Sequence, residues 1–308
     1  RAQLMKLFIG ASMAFGSILV GSPLLALLLG LTFAMILKIP ENFINKSIGT
    51  TFLQIGIIVI GLTMSASNAL EITAKYFPYI SIFVLLVLSA GALLAYFLKV
   101  DKKIGILIAS GTAICGATAM AAIAPLIKAK PRDLLVSLAI IFIFNAIAIG
   151  ILPIIGSSIA MSNEQFGAWI AMAIHDTGSV IGAAMVFGGD TIETAATLKL
   201  GRTLWLIPLI LILGIFYKDR SNTKIKFPIF ILIFILAIVA GPFLNFNQQD
   251  LLFLDFISDT FVVAALFCIG AQINSESIKE IDPKTFSLAL GLWIVALIAS
   301  YFLINLFL

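Results

Sequence analysis

Long apolar runs, separated by short breaks that carry charges, proline or glycine, are the dominant pattern of this chain. Most of the runs reach the roughly 17 to 25 residues that cross a bilayer as a helix. They define eleven segments, at 5–20, 22–37, 50–66, 76–98, 104–127, 133–156, 164–187, 192–217, 227–243, 252–272 and 283–306. We interpret the first as a structural helix rather than as the core of a signal peptide. The pattern predicts an all-α polytopic membrane protein, with residues 1–308 as one integral membrane domain.

Composition supports a lipid environment. Hydrophobic residues make up 61% of the 308 residues and charged residues only 11%, and the mean hydropathy is +1.17. Soluble domains carry roughly 25% charged residues. The net charge of +4 does not predict a nucleic-acid partner, because no basic residue lies in a soluble domain where such a partner could dock. The expected partners are the lipid bilayer and a small ion, and a homo-oligomer is compatible with the sequence.

Loop charges predict the orientation of the segments. Net positive charge falls on loops 1–6, 38–49, 99–103, 128–133 and 218–226, whereas 67–75 is neutral and 157–164, 188–193, 244–255 and 274–284 are negative. Positive loops remain in the cytoplasm, so we expect a cytoplasmic N-terminus in a multi-pass protein of the bacterial inner membrane. Loop 128–133 is the exception, because it falls outside if segment 104–127 crosses fully. This loop lies in the cytoplasm if 104–127 and 164–187 are both re-entrant.

These two segments are also interrupted by small and hydroxylated residues, at 110–118 and 175–182. A helix break inside a bilayer survives only where protein or a water-filled cavity satisfies the freed backbone groups. The N-terminal ends of the resulting half-helices would bind anions. The candidate substrate-binding residues of the two breaks are Ser110, Gly111, Thr112, Cys115, Gly116, Thr118, Thr177, Gly178 and Ser179. Alternatively, the small residues only permit close helix packing.

A weak internal repeat connects the two ends of the chain. Residues 60–72 align with 269–281, and the similarity extends over about 50–98 and 259–306. The loop assignment gives the two copies opposite directions through the membrane. Inverted repeats with interrupted helices near the midplane are typical of secondary transporters.

Four charges lie inside the apolar segments, namely Asp176, Lys199, Arg202 and Asp259. Each costs roughly 2.5 to 3.5 kcal/mol at a helix centre, so we expect each to have a purpose. Lys199 and Arg202 are three residues apart and share a helix face, which predicts a basic substrate-binding pair with Asp176 as its counter-charge. His175, Asp176 and Asp259 are candidates for ion or proton coupling. The alternatives are snorkelling of the basic pair and an interfacial Asp259.

Three stretches, "SGTAICGATAMAAIAPLI", "AIHDTGSVIGAA" and "ATLKLGRTLWLIP", resemble the signature stretches of the YeiH-like sulfate exporter family. The resemblance extends over essentially the whole chain. It implies export of sulfate or a related small anion, and it groups the chain with the cation-proton antiporter and anion transporter superfamily. The interrupted helices of that superfamily usually cross each other through the membrane, so the resemblance favours crossing over re-entrant segments.

The residues leave more than one function open. The first hypothesis is a secondary transporter of a sulfate-like oxyanion, coupled to H⁺ or Na⁺. The alternative is a cation antiporter in which Asp176 and Asp259 bind Na⁺ or H⁺. An intramembrane enzyme is disfavoured, because one His and one neighbouring Asp are a minimal acid-base set and no metal-ligand spacing is present. We expect no enzymatic activity, no cofactor and no metal.

Overall fold

The computed structural model describes residues 2–37, 46–217, 229–273 and 278–306. Its regular secondary structure in these ranges is entirely helical. The α-helices are α1 (Ala2–Val20), α2 (Pro23–Ile36), α3 (Lys46–Thr63), α4 (Ala66–Phe97), α5 (Lys102–Ser110), α6 (Gly116–Leu126), α7 (Pro131–Ser158), α8 (Asn163–Ala173), α9 (Thr177–Phe187), α10 (Thr191–Thr203), α11 (Leu206–Phe216), α12 (Ile229–Ala240), α13 (Gln248–Ala271) and α14 (Pro283–Asn305). A π-helical turn, Gly111–Cys115, joins α5 to α6, and a 3-10 turn, Gly241–Phe243, follows α12.

The predicted class, an all-α polytopic membrane protein, is confirmed. Six helical stretches of the described residues are long and apolar enough to cross a membrane, and shorter apolar helices accompany them. Each predicted segment coincides with one helix or with a pair of helices. The predicted loop 218–226 lies outside the described residues, as do parts of loops 38–49 and 274–284.

One predicted boundary was wrong for a local reason. Helix α4 begins at Ala66 rather than at residue 76, because the Ser65 side chain caps it by accepting a hydrogen bond from the Asn68 N–H, and polar residues continue the helix beyond the apolar run. The predicted segment 192–217 coincides with one candidate span, Thr191–Phe216, which a turn at 204–205 divides into α10 and α11. Pro208 has no N–H to donate to the Leu204 carbonyl, which accepts from the Ile207 N–H at 3.1 Å instead.

The first interrupted segment, 102–126, folds back on itself. The Lys103 Nζ at its beginning donates a hydrogen bond of 2.6 Å to the carbonyl of Lys128, just after its end. Near the turn, a Cβ at Gly111 would overlap the Met120 side chain, so the two limbs, α5 and α6, lie against each other. We call this segment hairpin 1.

The second interrupted segment, 163–187, is also a hairpin. Phe166 near its beginning and Phe187 at its end stack with ring centroids 3.9 Å apart. Asn163 and Gly189 are adjacent as well, since a Cβ at Gly189 would overlap the Asn163 side chain. We call this segment, which consists of α8 and α9, hairpin 2. In both segments the contacts correspond to the re-entrant alternative, and the crossing arrangement that the family resemblance favours is not what the structure describes.

The hairpins enter from opposite sides of the molecule. Helix α7 connects them, and its 28 residues span about 42 Å at 1.5 Å per residue. Their tips meet at Gly116 and His175, where a Cβ on the glycine would lie 3.3 Å from the His175 carbonyl carbon. The central break of each segment is therefore a contact point between the two hairpins.

Charge differs between the two sides of the molecule. Hairpin 1 begins and ends on what we call the basic side, which carries Lys103, Lys128 and Arg132, and where Arg132 pairs with Glu280 at 3.0 Å. Hairpin 2 begins and ends on the acidic side, which carries Glu164 and Asp190. The loop assignment from charge, with both interrupted segments re-entrant, therefore agrees with the relative sidedness of the described loops.

Candidate functional site

The tip of hairpin 1 is a tight turn that requires glycine. Gly116 has φ +47° and ψ −118°, in a region that L side chains rarely occupy. The π-helical turn before it shifts the helix register and ends α5 at Ser110. The second half-helix, α6, then begins at Gly116 in contact with hairpin 2.

The tip of hairpin 2 is a short extended stretch instead. Ile174 has φ −90° and ψ 144°, and α8 ends before it. Asp176 has φ −103° and ψ 159°, and is the N-cap of α9. Its carboxylate accepts hydrogen bonds from the Ser179 N–H at 2.8 Å and the Ser179 hydroxyl at 2.6 Å. The aspartate beside the only histidine thus starts a half-helix.

Asn145 of α7 links the two polar residues of this tip. Its amide Nδ2 donates to the Asp176 carboxylate, and its Oδ1 accepts from the His175 backbone N–H at 3.2 Å. The same oxygen lies 2.9 Å from His175 Nδ1. Because an amide oxygen only accepts, Nδ1 carries the proton. The buried imidazole lies beside the stacked Phe144 and Trp293 rings, with centroids at 6.4 and 6.3 Å.

Arg202 holds the C-terminal ends of both first limbs. In hairpin 2 its Nη1 donates to the carbonyls of Ala171, Met172 and Ile174, at 2.8, 2.6 and 3.3 Å. In hairpin 1 its Nε donates to the Ala113 carbonyl at 2.7 Å, and its Nη2 donates to the Thr112 carbonyl. The side chain is fully buried, and its guanidinium carbon lies 5.1 Å from the centre of the Phe83 ring.

Lys199 completes this arrangement from one turn earlier in α10. It is fully buried, and its Nζ donates to the Ile174 carbonyl at 2.6 Å. The Ala173 carbonyl accepts from the Trp293 indole at 3.2 Å. The last carbonyls of a helix have no partner within it, and cations near them are favourable. The basic pair therefore satisfies the broken backbone, and its hydrogen bonds are directed at carbonyls rather than into a cavity.

A cavity of about 240 Å³ lies beside the meeting point of the tips. It is bounded by α3, α6, α7, α9, α12 and α13, together with the residues that precede α6 and α9. Its lining residues are Gly49, Thr50, Leu53, Gln54, Ile57, Cys115, Ala117, Thr118, Phe142, Asp176, Thr177, Phe230, Ile269 and Gln272. Among these described lining residues Asp176 is the one carboxylate, and none of them is a lysine or an arginine.

The structure brings together only part of the predicted set. Cys115, Thr118, Asp176 and Thr177 line the cavity. The others are near the tips but buried in the hairpins or on α10, and they are Ser110, Gly111, Thr112, Gly116, His175, Gly178, Ser179, Lys199 and Arg202. Asp259 is different, because it is exposed on α13 and does not belong to the lining.

Sequence reasoning missed the amide-bearing residues of the site. Asn145 is a lone amide in an otherwise apolar helix, which was an available signal because an uncompensated polar group inside a membrane is costly. Gln54 and Gln272 bring neutral amides to the cavity. They lie on α3 and directly after α13, outside the interrupted segments on which the prediction concentrated.

The two half-helices that begin at the tips differ in how their N-termini are capped. Asp176 caps α9 through its side chain, whereas Cys115 occupies the N-cap position of α6 and makes no side-chain capping bond. Thr118, three residues after Cys115, corresponds to Ser179, three residues after Asp176. The N-terminus of α6, where Ala117 and Thr118 line the cavity, thus lacks the anionic group that α9 carries.

Comparison with known proteins gives relatives along most of the chain. Residues 4–289 match the family described as Conserved hypothetical protein 698. A UPF0324 membrane protein of Photobacterium profundum is 36% identical over 289 residues, covering 93% of this chain and 88% of the relative. A UPF0324 membrane protein of Porphyromonas gingivalis is 34% identical, covering 91% of this chain and 86% of the relative. No solved structure matches the chain.

Proposed function

Because the chain belongs to the Conserved hypothetical protein 698 family, whose relatives include UPF0324 membrane proteins, we propose that its two hairpins work inside a membrane as the core of a secondary transporter for a small oxyanion. The substrate occupies the cavity beside the hairpin tips. The family resemblance contributes the sulfate-like character of the substrate and the direction of export.

The observation that carries this proposal is the uncapped N-terminus of α6 in the cavity wall. The partial positive charge at a helix N-terminus favours anions, and in the hairpin 1 tip no side chain supplies one. The Thr118 hydroxyl, on the exposed side of the first turn of α6, adds a hydrogen-bond donor. Neutral amides at Gln54 and Gln272 add polar groups to a lining that is otherwise largely apolar.

Hairpin 2 contains an internal example of the same recognition. There the Asp176 carboxylate accepts from both the N–H and the hydroxyl of Ser179. At the corresponding place in hairpin 1, Thr118 offers a similar donor pair, while Cys115 brings no charge. A substrate oxyanion bound to α6 would take the role that the Asp176 side chain takes at α9.

Asp176 then couples the substrate to a proton. It lines the same cavity, so its negative charge opposes a second anion at close range. Protonation of the carboxylate removes this repulsion, and the substrate and the proton therefore bind together. Lys199 and Arg202 stabilise the region through their hydrogen bonds to backbone carbonyls, without contacting the substrate.

Protection from alkylation tests the proposed cavity. A single cysteine is placed at Ala117, in the lining, in a variant lacking the native Cys115 and Cys268. Sulfate, added as its N-methylglucamine salt, should slow the reaction of this cysteine with methyl methanethiosulfonate. A cysteine at Ala121, exposed on the same helix but outside the lining, should react at an unchanged rate. Thr118→Val should weaken the protection.

The same experiment evaluates the cation antiporter. One observation favours it, namely that the residues described in the cavity lining include a carboxylate, Asp176, and no cationic side chain. Protection by NaCl without protection by N-methylglucamine sulfate would replace the anion proposal with this alternative. Asp259 lies outside this lining, so its part in binding a cation stays a prediction.

A further inference from the structure

A second cavity, of about 460 Å³, lies on the outer face of hairpin 1. It is a groove between α4, α5 and α11, with apolar walls that include Leu88, Ala92, Ala109, Leu209 and Leu213. Its volume is within the range of ligand pockets in proteins. We propose that this groove is a binding site for an anionic phospholipid, with one acyl chain in the groove and the headgroup at Lys102.

The two ends of the groove differ in polarity. Lys102 lines the end on the basic side, where its Nζ lies 5.9 Å from the centre of the Tyr217 ring, and Lys99 is exposed nearby. At the other end the buried Ser110 hydroxyl already donates to the Leu107 carbonyl at 3.0 Å. The interior of the groove can therefore contact an apolar chain but has few hydrogen-bonding groups for a polar ligand. The mouth of the groove carries positive charge.

The shape and charge together favour a lipid over a second copy of the protein. The groove follows α5, whose 9 residues give about 13 Å of length at 1.5 Å per residue. A narrow apolar slot of this length accommodates part of one acyl chain. Basic side chains at the end of an intramembrane groove recognise anionic lipid headgroups, and the exposed Tyr96 at the same end is typical of the membrane interface.

The proposed lipid would contact hairpin 1. Helix α5 forms one wall of the groove, and it is the first limb of hairpin 1, whose tip forms part of the cavity described above. A lipid in the groove would therefore stabilise one position of that limb. This regulatory consequence rests on the proposed transport function, whereas lipid binding itself does not.

Native mass spectrometry of the delipidated full-length chain, titrated with phosphatidylglycerol or phosphatidylcholine of identical acyl chains, tests the site. Phosphatidylglycerol should bind at least tenfold more tightly. Ala92→Trp, which fills the groove, should abolish this tight binding, whereas Leu93→Trp, on the neighbouring exposed position of α4, should retain it. Lys102→Gln should bind the two lipids equally, and the control Lys130→Gln, exposed on the same side, should keep the preference.

Equal binding of the two lipids to the parent protein would overturn the proposal, and so would tight phosphatidylglycerol binding to Ala92→Trp. Light scattering identifies the competing occupant. If the parent is a dimer that Ala92→Trp converts to a monomer without changing lipid binding, the groove is an interface between copies. All of these measurements report binding or mass, so failure of the transport proposal would leave them interpretable.

Discussion

Arg202 shows how one buried cation can serve two broken helices. Its N–H groups donate to carbonyls of both hairpin 1 and hairpin 2, so the side chain connects the two tips. The interpretation of Arg202 as a direct ligand of the anion stays a prediction, but its hydrogen bonds are already used by the protein. Its main effect on substrate should be exerted through the position of the tips.

We therefore predict that Arg202→Gln lowers stability by on the order of 3–5 kcal/mol, because it leaves several buried carbonyls without a donor. Arg202→Lys should recover only part of the loss, since an ammonium lacks the planar fork that reaches both hairpins. The measurement is the thermal unfolding midpoint in detergent, with the exposed Lys284→Gln as control. An Arg202→Gln protein as stable as the parent but unable to bind sulfate would support the direct-ligand interpretation.

Asp176 both lines the cavity and caps helix α9. Asp176→Asn should retain sulfate binding but lose its dependence on pH, because the amide carries no titrating proton. Some destabilisation, about 1–3 kcal/mol, should follow from placing an amide NH₂ against the Asn145 donor. Sulfate protection of the Ala117 cysteine, measured from pH 5 to pH 8, provides the readout. Asp259→Asn, outside the cavity lining, should behave as the parent.

At the scale of elements, the contact between the hairpin tips depends on a glycine. Gly116→Ala should cost about 1–3 kcal/mol, because the backbone conformation there is unfavourable for other residues and the new Cβ would lie 3.3 Å from His175. Gly201→Ala is the matched control, since it lies in helix α10 and a Cβ there meets nothing within 4 Å. That change should be neutral or stabilising by up to about 1 kcal/mol. Equal unfolding midpoints for both variants would contradict the conclusion that the contact between the hairpin tips requires a glycine at position 116.

The base of hairpin 2 is tied to α4 by a charged contact on the acidic side. Glu164 accepts from Lys75 Nζ and from the Tyr76 hydroxyl, both at 2.9 Å. The hydrogen bond from Lys75 is the largest cause that lowers the pKa of Glu164, so the folded state favours the ionised carboxylate. The contribution of this contact to stability is present above the ordinary glutamate pKa near 4.3. It is lost as the pH falls through the lower pKa that Glu164 has in the folded state.

Glu164→Gln should accordingly lower the unfolding midpoint slightly at neutral pH. The free-energy difference should be no more than about 1 kcal/mol, because both side chains of the ion pair are partly exposed. The difference from the parent should disappear below about pH 4. The control Glu71→Gln, exposed on the same helix as Lys75, should show no such dependence. A Glu164→Gln effect that grows on acidification would contradict this account.

At the scale of the whole molecule, the division into a basic and an acidic side predicts orientation. We expect the basic side in the cytoplasm. In intact cells, an impermeant thiol reagent should label a cysteine at Asp190 and leave one at Ala129 unlabelled, both in a background without Cys115 and Cys268. The reverse labelling would invert the orientation. Labelling of both positions from outside would contradict the hairpin geometry.

Internal similarity is visible at this scale too, though in a different place from the predicted one. The dipeptide Ala-Ile lies at both tips, as Ala113–Ile114 within the π-helical turn and as Ala173–Ile174 before His175, and each hairpin is followed by a helix that leads to the opposite side. The two hairpin-plus-helix units therefore run in opposite directions. The pairing of 50–98 with 259–306 stays a prediction.

The sequence by itself determined the class of the protein, the approximate positions of its segments and the relative sides of its described loops other than 128–133 and 157–164. These properties follow from sums over many residues, namely apolar length against bilayer thickness and the distribution of Lys and Arg, so they do not depend on a particular contact. Glycine and hydroxyl residues at 110–118 and 175–182 also marked the two breaks correctly, because a broken helix in lipid needs such residues.

Only the tertiary structure decided what the individual charges contact. Their spacing predicted that Lys199 and Arg202 form a pair, with Asp176 as its counter-charge. Arg202 instead donates to backbone carbonyls that lie far away in sequence. A sequence does not indicate which backbone carbonyl accepts from a given side chain. Asp176 pairs instead with Asn145. The choice between crossing and returning segments depended on contacts such as Lys103 with Lys128, because both topologies require the same apolar length. Long-range partners of this kind are set by how helices pack, which composition and periodicity do not encode.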